Sequence, residues 1–208
     1  MQKKKNKLNK SWVDNHINDS YVKQSQHDGY RSRAAYKLLE IAKDYNLFKD
    51  IEFAVDLGSS PGSWSQVLSK FLNKDSKIFA LDVLPMESIK GVDFIQGDFT
   101  ESYILDLLIK KIDGNLVDLV ISDIAPNLSG IKVIDQAKVS YIVELVLDFI
   151  KNYLKVGGNS LIKIFHGSEF DKIVKHSKTL FDKVLIKKPN ASRDKSSEIY
   201  LLCLGFKS

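Results

Sequence analysis

The sequence predicts an α/β fold in which a mostly parallel, doubly wound sheet ends in an antiparallel hairpin. Short apolar and β-branched runs alternate with segments of helical periodicity, an order typical of parallel strands covered by helices. The last two strand-like runs are separated by only nine residues, too few for the crossover that parallel pairing needs. With 208 residues, 44% of them hydrophobic, the chain can fill the core of one such domain.

The first 30 residues differ from the rest of the chain. Residues 1–10 are rich in lysine and predict a flexible arm, and the apolar positions within 11–28 are compatible with a helix. Ser32 can cap a second helix, whose apolar stripe includes Leu38 and Ala42. We therefore divide the chain into a basic arm with its helix, residues 1–30, and a single domain over residues 31–208.

The two patterns place the remaining elements in order. Strand-like runs occur at 51–57, 77–81, 92–95, 116–122 and 160–165, and helical patterns lie between them at 63–73, 100–112, 136–155 and 168–179. The terminal hairpin joins residues 181–188 to residues 198–205.

Positive charge is concentrated near the N-terminus. The formal net charge is +5, of which residues 1–37 carry +6 and the remainder −1. A second basic cluster extends from Lys183 to Lys195. Concentrated basic segments on a near-neutral body favour a polyanionic partner, nucleic acid ahead of membrane, although a solubilising tail has the same pattern.

Four absences in the sequence narrow the class of protein. The single cysteine, Cys203, excludes an internal disulfide, and no apolar run reaches the roughly 18 residues that span a bilayer. The basic start lacks the apolar stretch of a secretory signal. The four histidines and the cysteine show no metal-ligand spacing. We expect a monomeric cytoplasmic protein with neither a metal site nor a membrane partner.

The loop after the first predicted strand is typical of a ligand site. The strand ends at Leu57, a Gly/Ser/Pro loop follows, and a helix starts near Ser63. Open α/β sheets bind ligands at the carboxyl ends of their strands, and Gly58 and Gly62 allow close approach to the backbone. The spacing is neither GxGxxG nor GxxxxGK[ST], which argues against a dinucleotide enzyme and an NTPase. On its own, the loop is also compatible with a simple turn.

Two further acids follow strand ends. Asp82 ends the second predicted strand and Asp98 follows the third. A carboxylate in this place can accept hydrogen bonds from a ribose diol, although Asp98 could equally cap a helix. Together the loop and the two acids predict a nucleoside pocket.

Four segments resemble the FtsJ/RrmJ family of S-adenosylmethionine-dependent RNA 2′-O-ribose methyltransferases. They are RSRAAYKLLEI (31–41), DLGSSPGSWSQ (56–66), SDIAPNLSG (122–130) and SRDKSSEIYLLCLG (192–205), and the resemblance extends over residues 12–206. It implies a Rossmann-like class I methyltransferase fold with S-adenosyl-L-methionine as cofactor. The cofactor-binding residues that it implies are Gly58, Pro61, Gly62, Trp64, Asp82, Asp98 and Asp123. Three departures are serines: Ser63 at a position where glycine is common, and Ser59 and Ser60 where small residues such as alanine are usual. The fourth is His166, where glutamine is expected.

The resemblance also implies a catalytic tetrad of Lys37, Asp123, Lys163 and Glu198. Lys163 interrupts the apolar run at 160–165, where an unpaired charge would be costly. Burial and a second cation nearby favour a neutral amine, so we expect Lys163 to deprotonate or orient the 2′-hydroxyl. Asp123 would position Lys163, while Lys37 and Glu198 would orient the nucleotide. By pattern alone, Lys37 and Glu198 are typical of solvated side chains and Asp123 of a turn.

We expect ribosomal RNA of the large subunit to be the partner, with a uridine of 23S rRNA as the implied target. The candidate phosphate contacts are Arg31, Arg33, Lys187, Lys188 and Arg193, which flank the predicted cleft. Two alternatives remain, the same reaction on tRNA and a non-catalytic ribosome-assembly factor with this fold. The intact tetrad argues against the second.

Overall fold

The computed structural model describes residues 19–126, 129–192 and 196–208. The strands are β1 (Phe53–Leu57), β2 (Lys77–Asp82), β3 (Val92–Gln96), β4 (Val117–Ser122), β5 (Leu154–Phe165), β6 (Phe181–Lys187) and β7 (Glu198–Phe206). The helices of the described ranges are α1 (Ser20–His27), α2 (Ala34–Tyr45), α3 (Ser63–Phe71), α4 (Ser102–Ile112), α5 (Lys132–Tyr153) and α6 (Phe170–Leu180).

One seven-stranded sheet has the strand order β3-β2-β1-β4-β5-β7-β6. The pairs from β3 to β5 are parallel, and β7 pairs antiparallel with both β5 and β6. The predicted fold class, a mostly parallel sheet with a C-terminal antiparallel hairpin, is therefore confirmed. Because β7 is inserted between β5 and the edge strand, its first residue, Glu198, lies opposite Phe165 at the end of β5.

The two N-terminal helices begin later than predicted. α1 begins at Ser20, where Asp19 caps it by accepting a hydrogen bond from Tyr21 N, and residues 11–18 of the predicted helix lie outside the described ranges. The N-cap of α2 is Arg33 rather than Ser32. The Ser32 hydroxyl nevertheless accepts a hydrogen bond from the N–H of the first helical residue.

The junction of α5 and β5 also differs from the prediction. α5 begins at residue 132 rather than 136, and its first turn includes the exposed apolar residues Val133 and Ile134, which conceal the amphipathic pattern. β5 begins at Leu154 rather than 160. Gly157 and Gly158 interrupt the apolar pattern of its first half, and the register with β4 shifts there.

Helices cover both faces of the sheet and create two apolar layers. One layer contains Leu38 of α2, Val67 of α3 and Leu161 of β5, whereas the other contains residues of α4, α5 and α6 and Ile162 of β5. Adjacent strand residues thus point to opposite faces, as the pleat requires. Cys203 is fully buried in the second layer. Within the described residues, no helix has the length and hydropathy needed to cross a membrane.

Candidate active site

A cavity of about 430 Å³ opens at the carboxyl ends of the parallel strands. Its volume lies within the range of small-molecule sites, and this edge is where open α/β sheets bind ligands. The lining includes Gly58 and all three strand-end acids, Asp82, Asp98 and Asp123. The other lining residues are Ser60, Leu81, Val83, Leu84, Gly97, Phe99, Thr100, Ile124, Ala125, Pro126 and Ile142. We call this space the donor cavity.

Asp82 and Asp98 are held in place by nearby N–H and hydroxyl groups. Asp82 accepts hydrogen bonds from Ser60 N (2.9 Å) and Leu84 N (2.8 Å). One oxygen of Asp98 accepts from both the N–H and the hydroxyl of Thr100. A carboxylate oxygen can accept more than one hydrogen bond, so both side chains can also receive a ligand's hydroxyl or amino groups.

Asp56 lies in β1 behind this edge and is completely buried. Its Oδ2 accepts a hydrogen bond from Ser65 Oγ (2.6 Å), but its Oδ1 has no hydrogen-bond partner. Burial, together with the negative charges of Asp123 and Asp82, raises the pKa of Asp56 to about 7, although the hydrogen bond from Ser65 acts in the opposite direction. This concentration of carboxyl groups makes the end of the sheet suited to a cationic ligand.

Gly58 shapes the floor of the donor cavity. Its φ is 76°, in the left-handed region, and its N–H donates to Leu81 O (2.8 Å). A Cβ at this position would lie 2.7 Å from backbone atoms of Ile124. Only glycine therefore fits this turn without displacing the neighbouring loop.

Pro61, Gly62 and Trp64 do not line the donor cavity. Gly62, with φ 110°, is the N-cap of α3, and its N–H donates to Ser59 O. Trp64 is buried, and its Nε1 donates to Ala34 O (2.8 Å). The Trp64 side chain thus anchors α3 to α2, beneath the loop that supports the cavity.

The predicted tetrad is brought together in space. Lys163 is 7% exposed, and its Nζ lies 3.0 Å from Asp123 Oδ1 and donates to the Asp123 carbonyl oxygen (2.6 Å). Lys37 Nζ lies 3.0 Å from Glu198 Oε2. The tetrad therefore forms two ion pairs, with Asp123 also lining the donor cavity.

Tyr200 connects the two ion pairs. Its hydroxyl donates to Asp123 Oδ1 (3.0 Å), and Lys37 Nζ lies 5.7 Å from the centre of its ring. Tyr200 is fully buried, so its ring packs in the core while its hydroxyl reaches Asp123. Burial raises the pKa of Tyr200 well above its ordinary value, and Asp123 and Glu198 act in the same direction. Tyr200 is therefore a neutral donor.

Glu198 is held in its charged form. Burial alone would raise its pKa, but the attraction and hydrogen bond of Lys37, together with the charge of Lys163, outweigh burial and lower it. Two lysines and two carboxylates thus share one cluster without net charge, which compensates the cost of burying each of them.

The basic residues proposed to contact RNA fall into two groups. Arg31 donates to Pro61 O (2.8 Å), Glu87 O (2.9 Å) and Ser88 O (3.2 Å), so it ties the donor-cavity loops together. Arg33 forms an ion pair with Asp19 and donates to Ala191 O. The structure uses both guanidinium groups for contacts within the protein.

The lysines near the end of β6 are arranged differently. Lys187 Nζ lies 4.4 Å from the centre of the Tyr45 ring, and Lys188 Nζ donates to Ser196 O (3.2 Å). Each ammonium has three donors, so both can also contact a phosphate. Arg193 lies outside the described residues.

Residues 30–206 match the model of the FtsJ-like methyltransferase family. The chain belongs to this family. It is similar to the ribosomal RNA large subunit methyltransferase E of Methylobacillus flagellatus, with 54% identity over 97% of each chain. The protein of the same name from Bordetella pertussis is 51% identical over 98% of this chain and 99% of its own. A solved Plasmodium falciparum structure, described as a ribosomal RNA methyltransferase, is 32% identical with a TM-score of 0.75, covering 85% of this chain and 98% of its own.

The FtsJ-like methyltransferase family implies use of S-adenosylmethionine, and the donor cavity fits this molecule. Gly58 leaves room where any side chain would strike the loop at Ile124. Asp82 and Asp98 offer acceptors for ribose hydroxyl and amino groups, and the surrounding carboxyl groups complement a sulfonium and an ammonium. The cavity thus has the size, the acceptors and the charge that the cofactor requires.

Sequence reasoning missed the apolar walls of the donor cavity. Phe99 and Ile142 come from segments that are far apart in the chain, and Ile124 follows the family motif residue Asp123. Ile124 could have been predicted as a lining residue, because it directly follows Asp123, which lies just after the end of β4. Nothing in the periodicity of α5 distinguishes Ile142 from its other apolar residues.

Proposed function

We propose that this enzyme transfers a methyl group from S-adenosylmethionine to the ribose 2′-hydroxyl of a uridine in 23S rRNA of the large ribosomal subunit. The observation that carries the proposal is the buried Lys163–Asp123 pair. Because Asp123 also lines the donor cavity, the pair puts the Lys163 ammonium beside the cofactor site. The names of the relatives support ribosomal RNA as the substrate.

The residues of the donor cavity bind and orient the cofactor. S-adenosylmethionine supplies an electrophilic methyl group when it is bound. Asp82 accepts the ribose hydroxyls and Asp98 an amino group, both from carboxylates already fixed by backbone N–H donors. Gly62 and Trp64 act one step away, by holding the loop and the start of α3 in place.

Lys163 acts on the acceptor hydroxyl. Its Nζ is fixed by two oxygens of Asp123, which leaves one hydrogen-bonding direction toward the 2′-oxygen. Transfer would break the methyl–sulfur bond as the methyl–oxygen bond forms, with Lys163 holding the 2′-oxygen in line. The hydroxyl proton would leave to solvent, or to Lys163 once its ammonium has given up a proton. A rate that rises with pH would assign the base role, and a flat profile would assign orientation.

Lys37 and Glu198 hold the nucleotide at the other side of Tyr200. Their ion pair is partly exposed, with side chains 12% and 25% accessible, so it can exchange contacts with ribose hydroxyls. Lys187, Lys188 and Arg193 then position the RNA backbone. A ribosomal substrate supports a cytoplasmic location, where we propose that the enzyme acts as a monomer.

The test is methyl transfer from radiolabelled S-adenosylmethionine to undermodified large subunits, free ribosomal RNA and bulk tRNA. Label on subunits that is stable after base removal supports ribose methylation. Lys163→Ala should lose at least about a hundredfold in kcat, in line with the loss of a positioned proton-transfer group. The matched control is Lys155→Ala, which removes an ion-paired lysine that lies on the same strand but is exposed.

Two results would overturn the proposal. Label on tRNA alone would keep the chemistry and replace the target. Cofactor binding without label on any RNA would favour a ribosome-assembly factor that retains the fold.

A further inference from the structure

A second cavity, of about 390 Å³, lies between α5 and α6 at the end of β5. Its lining includes Gln136, Val139, Ser140, Phe165, His166 and Phe170. We propose that this acceptor cavity binds the base of the nucleotide that is methylated. This inference rests on the proposed function and extends it by assigning a site for the substrate base.

The catalytic tetrad separates the acceptor cavity from the donor cavity. Asp123 lines the donor cavity and pairs with Lys163, whereas Ser197, directly before Glu198, lines the acceptor cavity. The cross-strand pair of Phe165 with Glu198 fixes this proximity. A ribose at Lys163 therefore has the methyl donor on one side and room for its base on the other.

α5 supports the same arrangement. It contributes Ile142 to the donor cavity and Val139 and Ser140 to the acceptor cavity, less than one helical turn away. The two cavities are thus fixed relative to one another by one helix and by the end of one strand.

The chemistry of the acceptor cavity suits a nucleobase. The rings of His166 and Phe170 lie 5.0 Å apart between centroids and provide flat surfaces on which a base can stack, while Val139 adds an apolar contact. Gln136 and Ser140 provide an amide and a hydroxyl. Such groups both donate and accept, as the imino and carbonyl groups of a pyrimidine require.

The charge of the acceptor cavity argues against a phosphate. Asp135 accepts hydrogen bonds from Ser129 and from Gly130 N, which lower its pKa and keep it ionised. Glu169 is a second carboxylate in the lining. The two negative side chains would repel a phosphate here, whereas a neutral base carries no charge for them to repel.

A pair of valines on α5 provides the test. Val139→Phe fills the acceptor cavity, and Val133→Phe makes the same change at a position that is 76% exposed. With undermodified large subunits, we expect Val139→Phe to raise KM about tenfold or more, the scale of one lost base contact, while Val133→Phe matches the natural chain. Cofactor affinity and the thermal unfolding midpoint are measured for both variants.

The outcomes are distinguishable. Equal kcat/KM for the two variants would overturn the base site and leave the proposed function intact. A fall in kcat at unchanged KM would mean that the substitution disturbs Lys163, which would also overturn it. If Val139→Phe fails to fold, KM is measured for Gln136→Ala instead. An unchanged KM for that variant would refute the base site. No label from the natural chain would overturn both proposals.

Discussion

Asp56 predicts an unusual dependence of stability on pH. The side chain is fully buried with one unpartnered oxygen, and its pKa is raised from 3.8 to about 7. A group whose folded pKa is raised stabilises the fold in its protonated form, below its unfolded pKa. That stability is lost as pH rises from about 4 to about 7.

The size of the effect follows from the shift. A rise of about three pKa units, at about 1.4 kcal/mol per unit, corresponds to about 4 kcal/mol of stability lost across this window. Asp56→Asn removes the ionisation and keeps the shape and one acceptor. The variant should therefore gain stability relative to the natural chain as pH rises. Between pH 5 and pH 8 the gain should be about 3 kcal/mol, because about two of the three units titrate there.

Urea unfolding at pH 5 and pH 8 measures the difference between variant and natural chain. Because the free energy of unfolding of the variant is compared with that of the natural chain at each pH, contributions from groups that the substitution does not affect cancel. Asp118→Asn is the matched control, since Asp118 is also buried but accepts from Glu52 N, Phe53 N and Lys155 Nζ. It should destabilise the fold at both pH values. A difference for Asp56→Asn that is equal at pH 5 and pH 8 would refute the reasoning.

Three further predictions concern the loop at Gly58, the buried Cys203 and Arg31. Gly58→Ala should bind S-adenosylmethionine at least about tenfold more weakly than Gly91→Ala, because both glycines have φ near 80° but only position 58 meets backbone; equal affinities would contradict this. Cys203, whose pKa burial raises to about 12, should react with a thiol reagent at pH 8 only as the chain unfolds, and rapid labelling of the folded protein would contradict this. Arg31→Ala should lower the unfolding midpoint and leave the salt dependence of RNA affinity unchanged, whereas a shallower slope would reveal a phosphate contact.

The sheet could be predicted because its signals are local. Each parallel strand is a short apolar run followed by a loop or an acid, and these acids meet at one edge once the strands align. The first half of β5 was not predicted, because Gly157 and Gly158 interrupt its apolar run. The start of α5 was not predicted, because its apolar residues Val133 and Ile134 are exposed and do not follow the pattern of a buried helix face.

The four residues of the tetrad could be predicted only from the family pattern. Lys37 on an amphipathic helix is typical of a solvated lysine, yet its side chain is 12% exposed because Glu198, 161 residues away, pairs with it. Contacts of this range leave no periodic trace in the sequence. The same reason hides the internal partners of Arg31 and Arg33, whose charge alone suggested RNA.

The antiparallel insertion of β7 is what makes this site possible. In a parallel sheet every strand presents its carboxyl end at the ligand-binding edge, so a further parallel strand would bring its last residues there. Because β7 runs the other way, it presents its first residue, Glu198, opposite Phe165, and Tyr200 opposite Lys163. A slip of one residue would turn Tyr200 and Glu198 to the opposite face and separate both from their partners. The register of this one strand pair therefore decides whether Lys37 has a counter-charge and whether Asp123 has its hydroxyl donor.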